Sequence, residues 1–476
     1  MQMNLAVLKD TEVHRLHAAS IEILETIGVE IPHAHALTLF QESGASVDKE
    51  THRVKIPEPL IASAIEVCGK EFTLYGRDRS RKAPFGAGAR NYNSSAGQAL
   101  WVEDDASRRR YPRLEDVATA TRLGDALPLI TIPGAMADPY DLPPAYRCVC
   151  VAAEMLKNTT KPITFWFHDR ASAQFLVELF TIVAGSESGA RDHPLAFPLF
   201  EPISPLRFPH DGVDLLFETC RLPLPVVIGP MAQVGCTAPG TLAGTLAQEN
   251  AEILAGLCLV QLIRPGTPIC FGGIPHAFNM RASQIVFGGP EQLLMAVAMT
   301  QLGRYYKLPV YVNAGLTDSK IADAQAGLEA GMTLLAAALA GADIFGHLGT
   351  CGIDQGASLI MLVMQHEAIA YIERVMQGIS VDDTRLAIDV IRSVGPGGNF
   401  LAEEHTAEHF RSELWFPELL DRNVFSIWAE GGASNMATRC REMKDSLLRD
   451  HEPSPLPDDT RRAVEQLVDD ARRHLT

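Results

Sequence analysis

A chain of 476 residues with 47% hydrophobic content can bury a large core, and its length suits one elaborated barrel or two to three domains. Lysine and arginine number 41 against 58 acids, a formal net charge of −17, which argues against phosphate-backbone binding and so against nucleic acid as a partner. The nine cysteines stand at 68, 148, 150, 220, 236, 258, 270, 351 and 440, with no CxxC pair and mostly inside apolar runs, so reduced thiols are expected rather than disulfides.

The amino terminus, MQMNLAVLKDTEVHRL, has no long apolar core and turns polar by residue 9, so no signal peptide is expected. Apolar runs such as 251–263 and 359–364 are interrupted or too short to span a bilayer; no membrane is expected, and the cytoplasm follows as the default location. Residues 10–69 suggest a cap. Leu16, Ile21, Leu24 and Ile27 recur at helical spacing, a second helix runs from 57 to 68, and the segments 46–48 and 53–56 form a small hairpin. The glycine-rich segment 85–97 matches no phosphate loop and is either plain turn geometry or a pocket wall carrying Tyr92 and Asn93.

From residue 128 a rhythm sets in. Strand candidates begin near Leu129, Ile163, Leu195, Val226, Ile269, Val310 and Asp343, separated by helical patterns near 171–184, 210–220, 243–263, 290–306, 321–340 and 356–377. Seven strands, with one more from the irregular segments before or after them, predict an α/β fold: a (β/α)8 TIM barrel with an N-terminal helical/hairpin cap and a C-terminal helical extension. The expected division is 1–127 for the cap and first irregular strands, 128–392 for the barrel, and 393–476 for the extension. A doubly wound open sheet is the alternative, but no GxGxxG stands at a strand-to-helix junction. In the 321–340 helix, Leu328, Met332, Leu335 and Leu339 are expected to form the buried stripe, with Gly341 as the stop.

In a barrel, the residues just past each strand share one mouth. Here they include Trp166, Phe200 and Glu201, His276, Asn313 and Leu316, then Phe345, Gly346 and His347. Metal readings are weak: His405 and His409 lack an HExxH pattern, Cys148 and Cys150 diverge, and Cys351 near His347 is only a pair, so no bound metal is expected. No serine lies in a GxSxG elbow. Glu201, flanked by Phe200 and Pro202, is expected either to have a raised pKa or to face a cation, a salt bridge to Arg207 being the plainer alternative. An aromatic mouth with one acid suits an organic cation, for which Tyr92, Trp166, Phe200, Phe345, Trp415 and Trp428 are candidate walls; each alone reads equally well as packing.

Several long motifs carry a resemblance. The runs TDSK (317–320), DAQAG (323–327), LAGAD (339–343), GPMAQVGCTAPGTLAGTLAQENAEILAG (229–256) and GPGGNFL with HTAEHFRSELW (395–415) resemble the trimethylamine methyltransferase family, in particular its members without pyrrolysine. The resemblance spans nearly the whole chain. It implies a barrel enzyme that moves a methyl group from a methylated amine to the Co(I) of a corrinoid (cobalamin) carried by a partner protein docked over the mouth. If the family's pyrrolysine position falls at the strand end before Thr317, this chain has Leu316 there. Pyrrolysine-free members act on quaternary amines such as glycine betaine, proline betaine or carnitine, which makes a quaternary amine the expected substrate. Glu201, Asn313 and His347 are then the expected catalytic residues, and Tyr92, Trp166, Phe200, His276, Leu316, Phe345, Gly346 and Trp415 the expected substrate contacts. A sensor that binds quaternary amines without transferring methyl groups, and a metal-dependent barrel lyase or hydrolase, are the alternatives. The apolar segment from Trp415 to Trp428 suggests a homo-oligomer.

Overall fold

A computed structural model describes residues 5–86, 88–105 and 108–476; Met1–Asn4 of the amino-terminal run and Ala87 of the glycine-rich segment lie outside the described residues. At its centre six parallel strands curl into one sheet: β1 (Asn91–Ser94), β2 (Leu199–Phe200), β3 (Val226–Ile228), β4 (Ile269–Gly273), β5 (Val310–Asn313) and β6 (Ile344–Leu348). Their order is β1-β6-β5-β4-β3-β2. The inner strands β3, β4, β5 and β6 are buried on both faces and are mainly apolar, as parallel strands sheathed by helices are, whereas β1 reads NYNS.

Between the edge strands β1 and β2 the chain makes single bridges. Asn93 pairs parallel with Ile132, Gly134 pairs parallel with Thr164, and Ile163 N donates to Leu195 O at 2.9 Å. The strands expected near Leu129 and Ile163 are therefore present as one or two ladder contacts each.

Two helices that the periodicity did not single out, α1 (Leu114–Ala126) and α2 (Pro144–Asn158), come first, and the six expected between strands form close to their predicted bounds: α3 (Arg170–Ala184), α4 (His210–Thr219), α5 (Leu242–Ile263), α6 (Pro290–Tyr305), α7 (Ala324–Ala340) and α8 (Leu359–Gln377). Their ends are set by local chemistry. Asp169 accepts from Ser172 N at the start of α3 and Asp323 from Ala326 N at the start of α7, while Gly185 and Gly341 close the same helices in the left-handed conformation. Among the described residues α5 is the one helix long and apolar enough to cross a membrane, and 89% of its apolar window is buried inside the fold.

The inner face of the sheet gathers Ile132, Phe197, Val227, Cys270, Tyr311 and Ile344. A hairpin of Phe72–Tyr75 and Lys82–Phe85 packs Leu74, Ala83 and Phe85 against them. It is anchored at the strands' amino ends, with Tyr75 N donating to Pro194 O at 2.8 Å and Gly86 N to Asp343 Oδ1 at 2.9 Å. One end of the sheet is thus floored, which leaves the carboxyl end as the open one. Beside this floor the buried Lys161 donates from Nζ to the carbonyls of Gly124, Leu127 and Ile130 at 2.8–2.9 Å, and burial pulls its pKa down to about 8.

The amino-terminal cap forms with adjustments. The helix Asp10–Glu22 runs into a π-helical turn, Ile23–Ile27, so Ile27 is turned outward and exposed. The hairpin Ser46–Asp48 and Arg53–Lys55 gains a third strand, Val29–Glu30. A larger departure concerns α7. Leu328 and Met332 are 66% and 53% exposed, whereas Ala326, Ala330, Leu334 and Ala337 are buried. Small residues let α7 pack closely on its neighbours, and the larger stripe faces away from the sheet.

After α8 the chain leaves the body as an arm of four short helices, α9 (Asp383–Leu386), α10 (Ile388–Val394), α11 (Glu404–Glu413) and α12 (Phe425–Glu430). It returns through α13 (Met436–Asp450), which packs on α1 and α8, and α14 (Asp458–Leu475), which packs on α2 and α3.

Candidate active site

Glu201 stands just past the end of β2. Its loop is pinned from behind by the buried Glu252 of α5, which accepts from Ser204 Oγ at 2.6 Å and Leu206 N at 2.7 Å. A second buried carboxylate on the same helix, Glu249, accepts from Ala232 N at 3.0 Å and Ile274 N at 2.9 Å and so fixes the loops after β3 and β4. The rim is held from behind by α5.

The Glu201 side chain is exposed, yet burial among protein atoms raises its pKa to about 7. Contact with solvent and desolvation together describe a carboxylate projecting into an enclosed pit. After burial, the next influence on it is the charge of Asp354. Asp354 sits in the turn between the short strands Thr350–Cys351 and Gly356–Ala357, is likewise exposed, and is raised to about 6 by burial. Gln98 orients it: Gln98 Nε2 lies 3.0 Å from Asp354 Oδ1, 3.0 Å from Ser95 Oγ and 3.2 Å from Thr350 Oγ1. Among the described residues no lysine or arginine pairs with either acid, so the pit holds two desolvated carboxylates without a counter-ion.

His347 is buried, its ring centroid 5.7 Å from that of Trp166 and 5.8 Å from that of Tyr311. Burial lowers its pKa to about 4, so the ring is neutral at pH 7. Its Nδ1 faces the amide of Ala96 at 3.4 Å and accepts from it, which leaves the proton on Nε2. Trp166 is fixed by donation from Nε1 to Gly97 O at 2.8 Å.

Asn313 and His276 form a relay with a defined polarity. His276 Nδ1 lies 3.2 Å from Val286 O and must donate to it, so its Nε2 accepts from Asn313 Nδ2 at 3.0 Å. Asn313 Oδ1 is then left buried without a partner. Asn93 Oδ1 and the Tyr311 hydroxyl are also buried, and both lie against Gly346, where any side chain would collide with them. Tyr311 feels the charges of both Glu201 and Asp354. Asn93 Oδ1, Asn313 Oδ1 and the Tyr311 hydroxyl thus stand as buried oxygens behind the polar wall.

The expected residues divide accordingly. Glu201, Asn313, His347, Trp166, Gly346 and His276 gather here, His276 holding Asn313 through its ring. Leu316 is buried just past β5. Tyr92, Phe200, Phe345 and Trp415 are placed elsewhere. Tyr92 stacks on Phe345 and donates its hydroxyl proton to Glu373 of α8 at 2.6 Å, so both rings face the helical layer. Phe200 packs against Phe208, Gly212 of α4 and Gly256 of α5. Trp415 lies edge-on to Tyr371 on the outer side of α8, under the guanidinium of Arg422. Asp354, Gln98 and Tyr311 also belong to the site, although none of them stands just past the end of an apolar run in the sequence.

A family model described as trimethylamine methyltransferase matches residues 2–476. The chain belongs to the trimethylamine methyltransferase family. Within the family it is 32% identical over 467 residues to a trimethylamine methyltransferase MttB of Desulfitobacterium hafniense, covering 98% of this chain and 94% of that one. It is also 32% identical over 428 residues to a glycine betaine methyltransferase from another strain of that species, covering 89% and 88%. A trimethylamine methyltransferase MttB of Methanosarcina barkeri is 30% identical over 483 residues, covering 98% and 96%.

Proposed function

We propose that this chain transfers a methyl group from a quaternary amine, with glycine betaine as the first candidate, to the Co(I) of a corrinoid protein. The observation that carries the proposal is the pair Glu201 and Asp354, desolvated at an open strand end with no basic partner. The likeness to a glycine betaine methyltransferase supports the choice of substrate. We also infer that the bridges at Ile132, Gly134 and Thr164 mark two further staves that close the six-stranded sheet into a (β/α)8 barrel, with this pit at its mouth.

A quaternary nitrogen already carries its charge. When its C–N bond breaks, the electron pair stays on nitrogen and a neutral tertiary amine leaves, so no proton has to be delivered. The corrinoid supplies the nucleophilic electron pair that takes the methyl group. The protein's own tasks are to hold the ammonium and to exclude water. Glu201 and Asp354 supply the negative field and Trp166 a flat aromatic face. For a betaine, the Nε2–H of neutral His347 is the donor that reaches the substrate carboxylate.

The test mixes the protein with glycine betaine and photoreduced cobalamin and follows the loss of Co(I) absorption as methylcobalamin forms. Proline betaine, carnitine, choline and dimethylglycine complete the panel. Binding by calorimetry without any Co(I) consumption, with the corrinoid protein present, would favour a non-catalytic amine-binding protein.

A further inference from the structure

The arm from 379 to 430 is the part of the chain whose conformation its own fold does not explain. Of its residues only Leu419 is buried, and α9, α10, α11 and α12 bury none. Fourteen of the twenty-seven exposed large apolar side chains of the described residues lie between Ile379 and Ile427, Leu401 at 89% and Phe425 at 77% among them. The longest of the four helices has ten residues. Isolated helices shorter than roughly 12–15 residues are marginal in water, so packing has to come from elsewhere.

A receptor for such packing lies beside the arm. The outward stripe of α7, Leu328, Met332 and Leu335, faces Met364 and Tyr371 of α8 across an apolar groove of about 820 Å³ that runs to Leu420 in the arm itself. The arm's arginines are largely engaged within it, Arg385 with Asp382 and Glu413, and Arg392 with Asp389, so what its surface presents is apolar side chains set among acids such as Asp383, Glu404, Glu408 and Asp421.

We infer that residues 379–430 form a permanent interface with a second copy of this chain, arm against arm, with apolar side chains of each arm entering the groove between α7 and α8 of the other copy. Arm and groove form one continuous surface, which lets the same patch serve both copies about a two-fold axis. The exposed side chains offer on the order of 1,000 Å² per copy, above the roughly 800 Å² per partner of a standard interface. Preferring a second copy to the corrinoid protein rests on the function proposed above. A carrier that departs after each methyl group needs a surface that tolerates water, whereas obligate interfaces are the apolar ones.

Sedimentation of the full chain, without amine or corrinoid protein, tests this independently of methyl transfer. The wild type is expected at no less than twice the chain mass of 51.8 kDa at micromolar concentration. Leu401→Asp combined with Phe425→Asp, and separately Leu328→Asp in the groove, are expected to bring the mass down to that of one chain. In the wild type, where no variant has to fold, the amides of α11 are expected to be protected from exchange although the helix buries none of its own side chains. A wild type that sediments as one chain, variants that keep the wild-type mass, or α11 amides that exchange as fast as those of an unprotected peptide would overturn the inference. A mass increase seen only on adding the corrinoid protein would overturn it too, and would assign the arm to that partner.

Discussion

The pit and the arm use opposite means. Around the pit every polar partner comes from the same chain: Glu252 pins the Glu201 loop, Gln98 orients Asp354, and His276 holds Asn313. Its polar wall is therefore organised before substrate arrives, and only the counter-ion is missing. In the arm the backbone is ordered while its side chains have almost nothing of their own fold to rest on. The difference teaches that selectivity for the amine is a property of one chain, whereas the shape of the carboxyl-terminal arm is a property of an assembly.

Removing charge from the pit sharpens this contrast most. Glu201→Gln is expected to lower kcat/KM for a quaternary amine by about 100-fold or more while leaving the sedimentation behaviour unchanged, measured by Co(I) consumption and by mass. A similar loss from an arm variant would break the contrast, because it would make the pit depend on the assembly.

The next effect is on pH. Glu201 holds its proton to about 7 in the folded chain, against 4.5 for an ordinary glutamate. The folded state therefore binds the proton more tightly, and its contribution to stability is complete below about 4.5 and lost as pH rises through about 7. Thermal unfolding of the free protein should show that decline, and Glu201→Gln should flatten it. Because the cation needs the ionised form, its affinity should rise on the order of tenfold between pH 5.5 and 7.5 and then level off, as read by calorimetry.

Smaller effects follow from the supporting residues. Asp354→Asn is expected to weaken amine binding by about tenfold, since one of two carboxylates remains. His276→Ala frees the Asn313 amide to turn, and is expected to raise KM about threefold with kcat little changed, a split that simple loss of folded protein would not produce. Trp166→Phe keeps an aromatic face but loses the bond to Gly97 O, a stability change of about 1 kcal/mol seen in the thermal midpoint.

Much of this was legible in the residues. The strand-end positions of Trp166, Glu201, Asn313 and His347 follow from where each apolar run stops, and the helices fall where periodicity puts them. The face on which a strand residue points was not legible. Tyr92 in the mixed run NYNS and Phe345 in IFGHL point outward while Asn93 and Gly346 point in, and with both sides of the sheet buried nothing in either run says which alternating face meets the helices. Asp354 and Gln98 escaped because one lies in a turn and the other at a single bridge to Ala137, and their approach to the pit depends on tertiary contacts and on no periodic signal. The stripe of α7 has helical spacing, but spacing alone does not say whether the covering surface belongs to the same molecule.

Lys161, gripped by three carbonyls beside the floor of the sheet, has a consequence for measurement. With its pKa drawn down to about 8 it would be an unusually reactive amine near neutral pH, yet it is sealed from any reagent while the protein is folded. An acylating label should modify surface lysines within minutes and this one only when the neighbouring backbone opens. Its rate of appearance in a peptide digest would serve as a clock for unfolding, built into the molecule.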